Sequence, residues 1–208
     1  TDLIVHSHVL EHMYDPLNFL STLSSKMVTG AIMAFSVPDL EAWLHKKVIG
    51  TLDLEHTVFL DSTIIDYMLS KTSFEILEKH HYGNGHSIFY KVKKLDKNPQ
   101  TNISLKGRYE KNKTSFDAFI NFYKTDVLSI QKKLRQHKNS AKFLFGAHIF
   151  SQYLIKLGLN TNQFKCILDN NVDKQGRRLY GTDLMIDSPN ILKNYENPIL
   201  VLRAGHYN

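Results

Sequence analysis

Two short apolar runs flank an amphipathic stretch near the start of the chain. The runs "DLIV" and "GAIMAFSVP" are nearly continuous in apolar residues, which is typical of strands covered on both faces. Between them, "PLNFLSTLSSKM" carries apolar residues at helical spacing and follows a helix-starting Asp15-Pro16. A strand, a helix and a strand in this order predict a parallel unit with a crossover helix, which places the chain in the α/β class.

The next segment predicts that this sheet ends mixed. "STIIDYMLSKT" has the spacing of a second amphipathic helix, and "FEILEKHHY" and "HSIFYKVKK" alternate as strands do. The two alternating runs are joined through Gly83-Asn84-Gly85, which suits an antiparallel pair with a turn that needs positive φ. We therefore assign residues 1–94 to one α/β region with a mixed sheet.

A second α/β region follows a polar linker. The linker covers residues 95–106, and the residues after it repeat apolar side chains at spacings of three and four, which predicts one long helix. The pattern then restarts as strand, helix, strand, short helix and strand, in the runs "AKFLFGA", "HIFSQYLIKLGL", "FKCILDNN", "SPNILKNY" and "PILVLRAG". Residues 107–208 are therefore predicted to form the long helix and a small Rossmann-like unit.

Composition limits the partners and the compartment. The formal charge of +6 is spread along 208 residues and not gathered in an arginine-rich tract, so we expect an anionic small molecule and no nucleic acid. A single cysteine, Cys166, excludes an internal disulfide and a multi-cysteine zinc site, and we expect it buried and no bound metal. No apolar stretch approaches about 20 residues and no leader peptide is evident, so we expect a cytoplasmic protein without a membrane partner.

Two groups of titratable residues are candidates for chemistry. His8, Glu11 and His12 follow the first strand, and ligands of open α/β sheets bind beyond the carboxyl ends of the strands. Glu55-His56 lies in a polar-flanked segment, where a carboxylate could orient or charge the imidazole for proton abstraction. The alternative is that these histidines cap helices or fill polar pockets.

The same residues carry a resemblance to a known family. "DLIVHSHVLEHMYDPLNFLSTLSSKMVTGAIMAFSVPDL" resembles the second half of a class I S-adenosylmethionine (SAM)-dependent methyltransferase domain, from its fourth to its fifth strand. "LEHTVFLDSTIIDYMLSKTSFEI" is similar to the continuation into the sixth strand. "LDNNVDKQGRRLYGT" and the runs "YGNGHSIFYKV", "FLFGAHIFSQYLI" and "ILVLRAGHYN" resemble the C-terminal portion of the sugar C-methyltransferase family.

The resemblance implies roles for named residues. It implies SAM as cofactor and a small-molecule sugar or nucleotide-sugar as acceptor. His56 would be the general base, Glu55 would hold it or bind a sugar hydroxyl, and His12 would orient the acceptor or stabilise an oxyanion. The proposed contacts to SAM are Ser7, His8 and Glu11, and the proposed contacts to the acceptor are Asp53, His86, Gly146, His148, Asp169 and Arg178.

Two departures from the family pattern leave the reaction open. Asp53 replaces a tyrosine two residues before the glutamate, which removes a phenol that could steady an enolate. Phe150 stands where a lysine is expected, and a phenyl ring cannot pair with a phosphate. Both C-methylation and O-methylation are therefore retained.

The second region carries part of a dinucleotide-binding pattern, with one glycine in place of several. Gly146 lies at a strand-to-helix turn, and Asp169 follows 23 residues later (169 − 146) at the end of the next strand. The helix N-terminus could attract an anionic group of the acceptor, with His148, Lys174, Arg177 or Arg178 nearby. The alternative is that Gly146 allows close packing and Asp169 caps a turn.

Finally, the resemblance implies that the chain is a fragment. Two features of the family are not recognised in it: the first strand with its glycine-rich turn, and the acidic residue that binds the ribose of SAM. We therefore expect weak or no SAM binding and no activity from these 208 residues alone. We also expect a three-stranded remnant that exposes a sheet edge through which copies could associate. A non-catalytic module that binds a nucleotide-sugar or a protein is the alternative function.

Overall fold

The computed structural model describes residues 1–53 and 55–202. The contacts divide the chain into two units. The first comprises Thr1–Lys47 and Thr51–Phe116, and the second comprises Val48–Gly50 and the chain from Asp117 onward. Within the described residues, no helix is both long enough and apolar enough to cross a membrane. The predicted linker at 95–106 remains a prediction.

The first unit is built on a mixed sheet of four strands. The strands are β1 (Leu3–Ser7), β2 (Ile32–Pro38), β3 (Phe74–Tyr82) and β4 (Ser87–Lys94). Their order across the sheet is β1-β2-β4-β3, with β1 parallel to β2 and β4 antiparallel to both of its neighbours. The expectation of a three-stranded sheet was wrong, because β3 and β4 both belong to this sheet, with β4 paired to β2.

The turn of that hairpin has the predicted backbone. Gly83, Asn84 and Gly85 all adopt positive φ, at 60°, 55° and 81°. Glycine and asparagine tolerate this region better than residues with larger or branched side chains, which explains why the sequence places them there. The prediction of an antiparallel pair is confirmed.

Aspartates begin the helices of the first unit. The helices are α1 (Pro16–Lys26), α2 (Leu40–His45) and α3 (Ser62–Lys71), and the side chains of Asp15, Asp39 and Asp61 accept hydrogen bonds from their first-turn amides. Each cap satisfies a backbone N–H that the helix itself cannot pair. Helix α2 and a short 3-10 helix at Leu10–His12 were not predicted, because both are too short to show a period.

An aromatic row crosses the centre of this sheet. His6 stacks on Phe35 at 5.1 Å between ring centroids, and Phe35 stacks on Tyr90 at 5.0 Å, in register across β1, β2 and β4. Neither ring nitrogen of His6 has a hydrogen-bond partner within the described chain, and burial lowers its pKa. His6 is therefore a neutral residue that packs in this aromatic row.

The second unit contains a small parallel sheet. Its strands are β5 (Lys142–Phe145), β6 (Ile167–Leu168), β7 (Ile186–Asp187) and β8 (Ile199–Leu202), in the order β7-β6-β5-β8. All three pairings are parallel. The expected strand over "FKCILDNN" is only two residues long; after it, the Asp169 N–H still donates to the Asp187 carbonyl, while the Asp169 side chain accepts from the Asn171 N–H in the turn that follows. "PILVLRAG" forms β8 as far as Leu202, and its last residues lie outside the described ones.

Helices complete the two units. The long helix α4 runs over Arg108–Gln136 as predicted, and α5 over Ile149–Lys156 follows the β5 turn. "SPNILKNY" forms a 3-10 helix at Pro189–Asn194, and two more 3-10 helices cover Ile49–Leu52 and Thr161–Gln163. The prediction of an α/β chain with a mixed first sheet and a small second parallel unit is confirmed.

Candidate functional site

The candidate site lies at the carboxyl end of β1. After Ser7 the chain turns sharply at His8, whose φ is 51°, in the left-handed region that non-glycine residues rarely occupy. The His8 backbone N–H donates to the Ser36 carbonyl at 2.9 Å, which holds the turn against the end of β2. Backbone conformations of this kind cluster at functional sites, because the surrounding structure must enforce them.

The structure brings Glu11, His12 and His56 together. One potential ligand atom from each of the three side chains lies within 4.8 Å of the others. The rings of His12 and His56 meet edge to face, with 5.1 Å between their centroids. The sequence analysis placed these residues in two separate groups 44 positions apart (56 − 12), and the fold joins them in one cluster.

Backbone hydrogen bonds hold the two segments against each other. The Glu11 carbonyl accepts from the Thr57 N–H at 2.9 Å and from the Val58 N–H at 3.2 Å. In return, His12 Nδ1 donates to the Glu55 carbonyl at 2.9 Å, since a carbonyl can only accept. These bonds fix the ring of His12, and its Nδ1–H leaves the lone pair on Nε2.

Glu55 and Asp53 are placed differently from His56. Glu55 is exposed, and the contact through which it supports the cluster is its backbone carbonyl. Asp53 accepts from the Glu55 N–H at 3.1 Å through its side chain, and its carbonyl accepts from the His56 N–H at 3.3 Å. Asp53 therefore shapes the turn that presents His56.

The Glu11 carboxylate is the most buried polar group of the cluster. Glu11 is only 3% exposed, and neither side-chain oxygen accepts a hydrogen bond within the described residues. The His8 imidazole lies beside it, with Nδ1 at 3.2 Å from Oε1, a contact that is an ion pair only when the ring is protonated and that lacks good hydrogen-bond alignment. A buried carboxylate in this state costs free energy unless a positive group faces it.

A narrow cleft of about 20 Å³, room for little more than one water molecule, lies beside the cluster. Glu11 and His56 are its ionisable lining residues, and the other side chains on its wall are largely apolar, among them Val37, Leu40 and Trp43. An apolar wall with two convergent ionisable groups is an arrangement that can orient a small substrate and exclude water from it.

A second hydrogen-bonded network extends from His8. Its Nε2 lies 2.9 Å from Ser87 Oγ, and Ser87 Oγ lies 2.7 Å from His86 Nδ1. The His86 carbonyl accepts from Trp43 Nε1 at 2.9 Å. Ser7, also predicted at this site, hydrogen-bonds Ser36 through the two hydroxyls at 2.6 Å. The predicted residues His8 and His86 are thus connected, and buried Ser87 is the link that the sequence analysis missed.

The pair of Asp39 and His81 was also missed. His81 Nδ1 lies 2.6 Å from Asp39 Oδ2, and Asp39 is 4% exposed. The two residues come from the end of β2 and the end of β3, so no local pattern links them. An Asp after a strand is a weak signal of a helix cap, and Asp39 does cap α2 through Ala42 N–H.

The acceptor residues predicted in the second unit form a compact turn. Gly146 adopts φ of 96°, and Asp169 accepts from the Ala147 N–H at 2.8 Å and from Lys174 Nζ at 3.2 Å. His148 caps α5 by accepting from the Phe150 N–H at 3.2 Å. These bonds already use amides at this helix N-terminus that an anion could bind.

Electrostatics agree with a structural role for this turn. Burial opposes ionisation of Asp169, but the hydrogen bonds from Asn171, Ala147 and Lys174 outweigh it and lower its pKa. Burial also lowers the pKa of His148, and the charge of Lys174 lowers it further. Arg178 lies apart from these groups on the surface, where it pairs with Asp183 at 3.3 Å.

Comparisons with known proteins give matches among solved structures alone. No protein-family model matches the sequence, and no curated protein does. A SAM-dependent methyltransferase from Thermotoga maritima, described as a possible histamine N-methyltransferase, is 14% identical with a TM-score of 0.38 over 45% of this chain and 55% of its own. The 16S rRNA N2 G1207 methyltransferase of T. thermophilus, solved with AdoMet and guanosine, is 6% identical with a TM-score of 0.28 over 81% of this chain and 43% of its own.

Proposed function

We propose that this chain carries the acceptor-activating part of a SAM-dependent methyltransferase that acts on a sugar or a nucleotide-linked sugar. The observation that supports this proposal is the convergence of Glu11, His12 and His56 at the carboxyl end of β1, beside a largely apolar cleft. Ligands of open α/β sheets bind at this edge. The signature "VLEHMYDP" supplies two of the three residues.

His56 is the proposed general base. It would remove a proton from an acceptor hydroxyl, or from a carbon next to a ketone, and so free an electron pair there. SAM, held when bound by Ser7, His8 and Glu11, would supply its methyl group to that electron pair, and its sulfur would leave as the neutral thioether. A positioned base typically contributes about 10²–10⁴-fold to such a step.

His12 is proposed to steady the acceptor oxygen. Its Nδ1–H is held by the Glu55 carbonyl, so the ring presents Nε2 to the site. When Nε2 carries a proton, it can donate to the negative charge that develops on the oxygen. The fixed ring means that this donor needs little reorganisation during the reaction.

The remaining roles are assigned by position. Ser7, His8 and Glu11 are the proposed contacts to SAM, since all three lie at the end of β1. Asp53 and His86 are the proposed acceptor contacts of the first unit, and Gly146, His148, Asp169 and Arg178 are those of the second. The hydrogen bonds within the Asp169 turn favour a structural role there unless an acceptor displaces them.

Calorimetric titration with SAM tests this proposal. The measurement uses the longest natural chain that contains these 208 residues, together with His8→Ala, which removes a proposed SAM contact, and a surface control, His80→Ala. We expect saturable SAM binding that His8→Ala weakens and that His80→Ala leaves unchanged. Binding of a nucleotide-sugar without any SAM binding would favour the non-catalytic module instead.

A further inference from the structure

Glu11, His12 and His56 have the composition of a metal-binding group. Two imidazoles and one carboxylate from different segments converge within 4.8 Å, and each offers an atom of a kind that coordinates divalent ions. Two histidines with one glutamate or aspartate form known sites for zinc and for iron(II). The described part of the chain brings no other three histidine, cysteine or acidic side chains this close.

The hydrogen bond of His12 is the first reason to infer coordination. Imidazoles that bind metals almost always donate their other N–H to a carbonyl or a carboxylate, which fixes the ring and its tautomer. His12 makes this bond to the Glu55 carbonyl at 2.9 Å, which leaves the Nε2 lone pair as the ligand. Glu55 precedes His56, so the same short segment supplies both the support and a second ligand.

The state of Glu11 is the second reason. Its carboxylate is buried, accepts no hydrogen bond within the described residues and has the His8 imidazole at 3.2 Å, which forms an ion pair with it only when protonated. Burying a carboxylate with so few partners is unfavourable, and a cation between Glu11 and the two imidazoles would supply the missing positive charge. His8, which Ser87 holds through Nε2, would then support the Glu11 carboxylate as an outer partner of the cation site.

We propose that Glu11, His12 and His56 bind one divalent first-row transition cation, such as Zn²⁺, with coordination positions left for an acceptor oxygen or water. Ligand atoms around tetrahedral zinc lie roughly 3.3 Å apart, given bonds of about 2.0–2.2 Å. The present separations are within 4.8 Å, so on binding the half-buried His56 imidazole and the Glu11 carboxylate would move closer to the His12 ring, which the Glu55 carbonyl holds. Two nitrogens and one oxygen favour such a cation over Mg²⁺ or Ca²⁺, which prefer oxygen ligands.

The cation proposal uses the proposed active site but does not depend on methyl transfer. A lone pair of His56 that coordinates a cation cannot accept a proton, so the two roles of this imidazole exclude each other at any moment. In the cation-bound form, the open position would bind and acidify an acceptor hydroxyl. Cation binding and SAM binding are measured separately, so either proposal can fail while the other holds.

Calorimetry with Zn²⁺ tests the proposal on the 208-residue chain. We expect one site per chain with a dissociation constant on the order of micromolar or tighter. Glu11→Gln and the double variant His12→Gln/His56→Gln should weaken binding by about 100-fold or more, since loss of even an outer partner costs 10–100-fold at known sites. The control His80→Ala removes an exposed imidazole and should leave that site unchanged.

A second measurement needs no variant and so avoids any folding defect. Histidine-directed acylation of the unmodified chain, read residue by residue by mass spectrometry, should be slowed by Zn²⁺ at His12 and His56 and not at His80. For the variants used in the calorimetric experiment, circular dichroism checks that they are folded. Equal Zn²⁺ affinity in the double variant, or acylation of His12 and His56 at the same rate with and without Zn²⁺, would overturn the proposal.

Discussion

Removal of the Asp61 carboxylate should be among the most destabilising single changes in the first unit. Asp61 is 1% exposed, caps α3 through the N–H groups of Thr63 and Ile64, and accepts from Arg108 at 2.8 and 2.9 Å. Asn112 donates to the same carboxylate. The Asp61 side chain therefore caps α3 and also balances most of the positive charge of Arg108, whose guanidinium is largely buried.

The magnitude follows from these partners. Loss of one member of a buried ion pair costs about 3–5 kcal/mol, and loss of a helix cap about 1 kcal/mol. Arg108 keeps Glu41 at 2.9 Å, which reduces the charge penalty, so we expect Asp61→Ala to cost about 3 kcal/mol. Asp61→Asn keeps an oxygen for the cap and should cost less, about 1.5–3 kcal/mol.

Urea unfolding followed by tryptophan fluorescence measures this cost. Trp43 is the single tryptophan of the chain and lies in the first unit, so its emission reports that unit. With a slope of about 2 kcal/mol per molar urea, Asp61→Ala should lower the midpoint by about 1.5 M. Glu78→Gln, in an exposed pair with Lys91, is the control and should leave the midpoint unchanged. Equal midpoints for Asp61→Ala and the control would show that the Asp61 carboxylate does not stabilise the first unit.

The remaining predictions concern pH, a thiol, a glycine and a linker. Burial alone would raise the pKa of Asp61, but the hydrogen bonds from Arg108, Asn112 and the Ile64 N–H, with the charge of Arg108, together outweigh burial and lower it. The stabilisation from this carboxylate is therefore present above about pH 4 and should be lost as pH falls through the folded pKa, and Asp61→Asn should flatten this dependence in acid titrations. Burial raises the pKa of Cys166 to about 11, so iodoacetamide at pH 8 should label the folded chain on the order of 10²-fold more slowly than the urea-unfolded chain. Gly146→Ala places a Cβ against the His148 ring at positive φ and should cost about 1–3 kcal/mol, more than Gly158→Ala, where φ is also positive but the space is open. Limited proteolysis should cut first within 95–106, and initial cleavage within 164–171 would contradict that boundary.

Local patterns predicted most of the fold. Each strand of the first sheet follows an apolar or alternating run, and each helix of three or more turns follows apolar spacing, because burial of one face fixes both features in the sequence. The short elements were missed for the same reason. Leu10–His12, α2 and β7 bury too few residues to produce a period, and β6 covers only Ile167–Leu168 of the longer apolar run that predicted it.

The candidate site was predicted only in part. The sequence indicated Glu11, His12 and His56 by residue type and by resemblance, but it gave no sign that the Glu55 backbone carbonyl would fix the His12 ring. Ser87 and the Asp39–His81 pair were missed, because each connects residues far apart in the chain and only the strand register brings them together. Side-chain chemistry can be read from sequence more readily than the partner that orients it.

Transfer of a labelled methyl group from SAM tests whether this chain belongs to a sugar methyltransferase that uses His56 as its general base. The longest natural chain containing these residues is incubated with methyl-labelled SAM and a panel of sugars and nucleotide-linked sugars, in parallel with its His56→Ala and His80→Ala variants. We expect label on at least one sugar, a turnover rate about 10²–10⁴-fold lower for His56→Ala with SAM affinity within a few-fold, and no change for His80→Ala. Near wild-type turnover in His56→Ala, or the absence of label on every acceptor by a chain that binds SAM, would contradict this expectation.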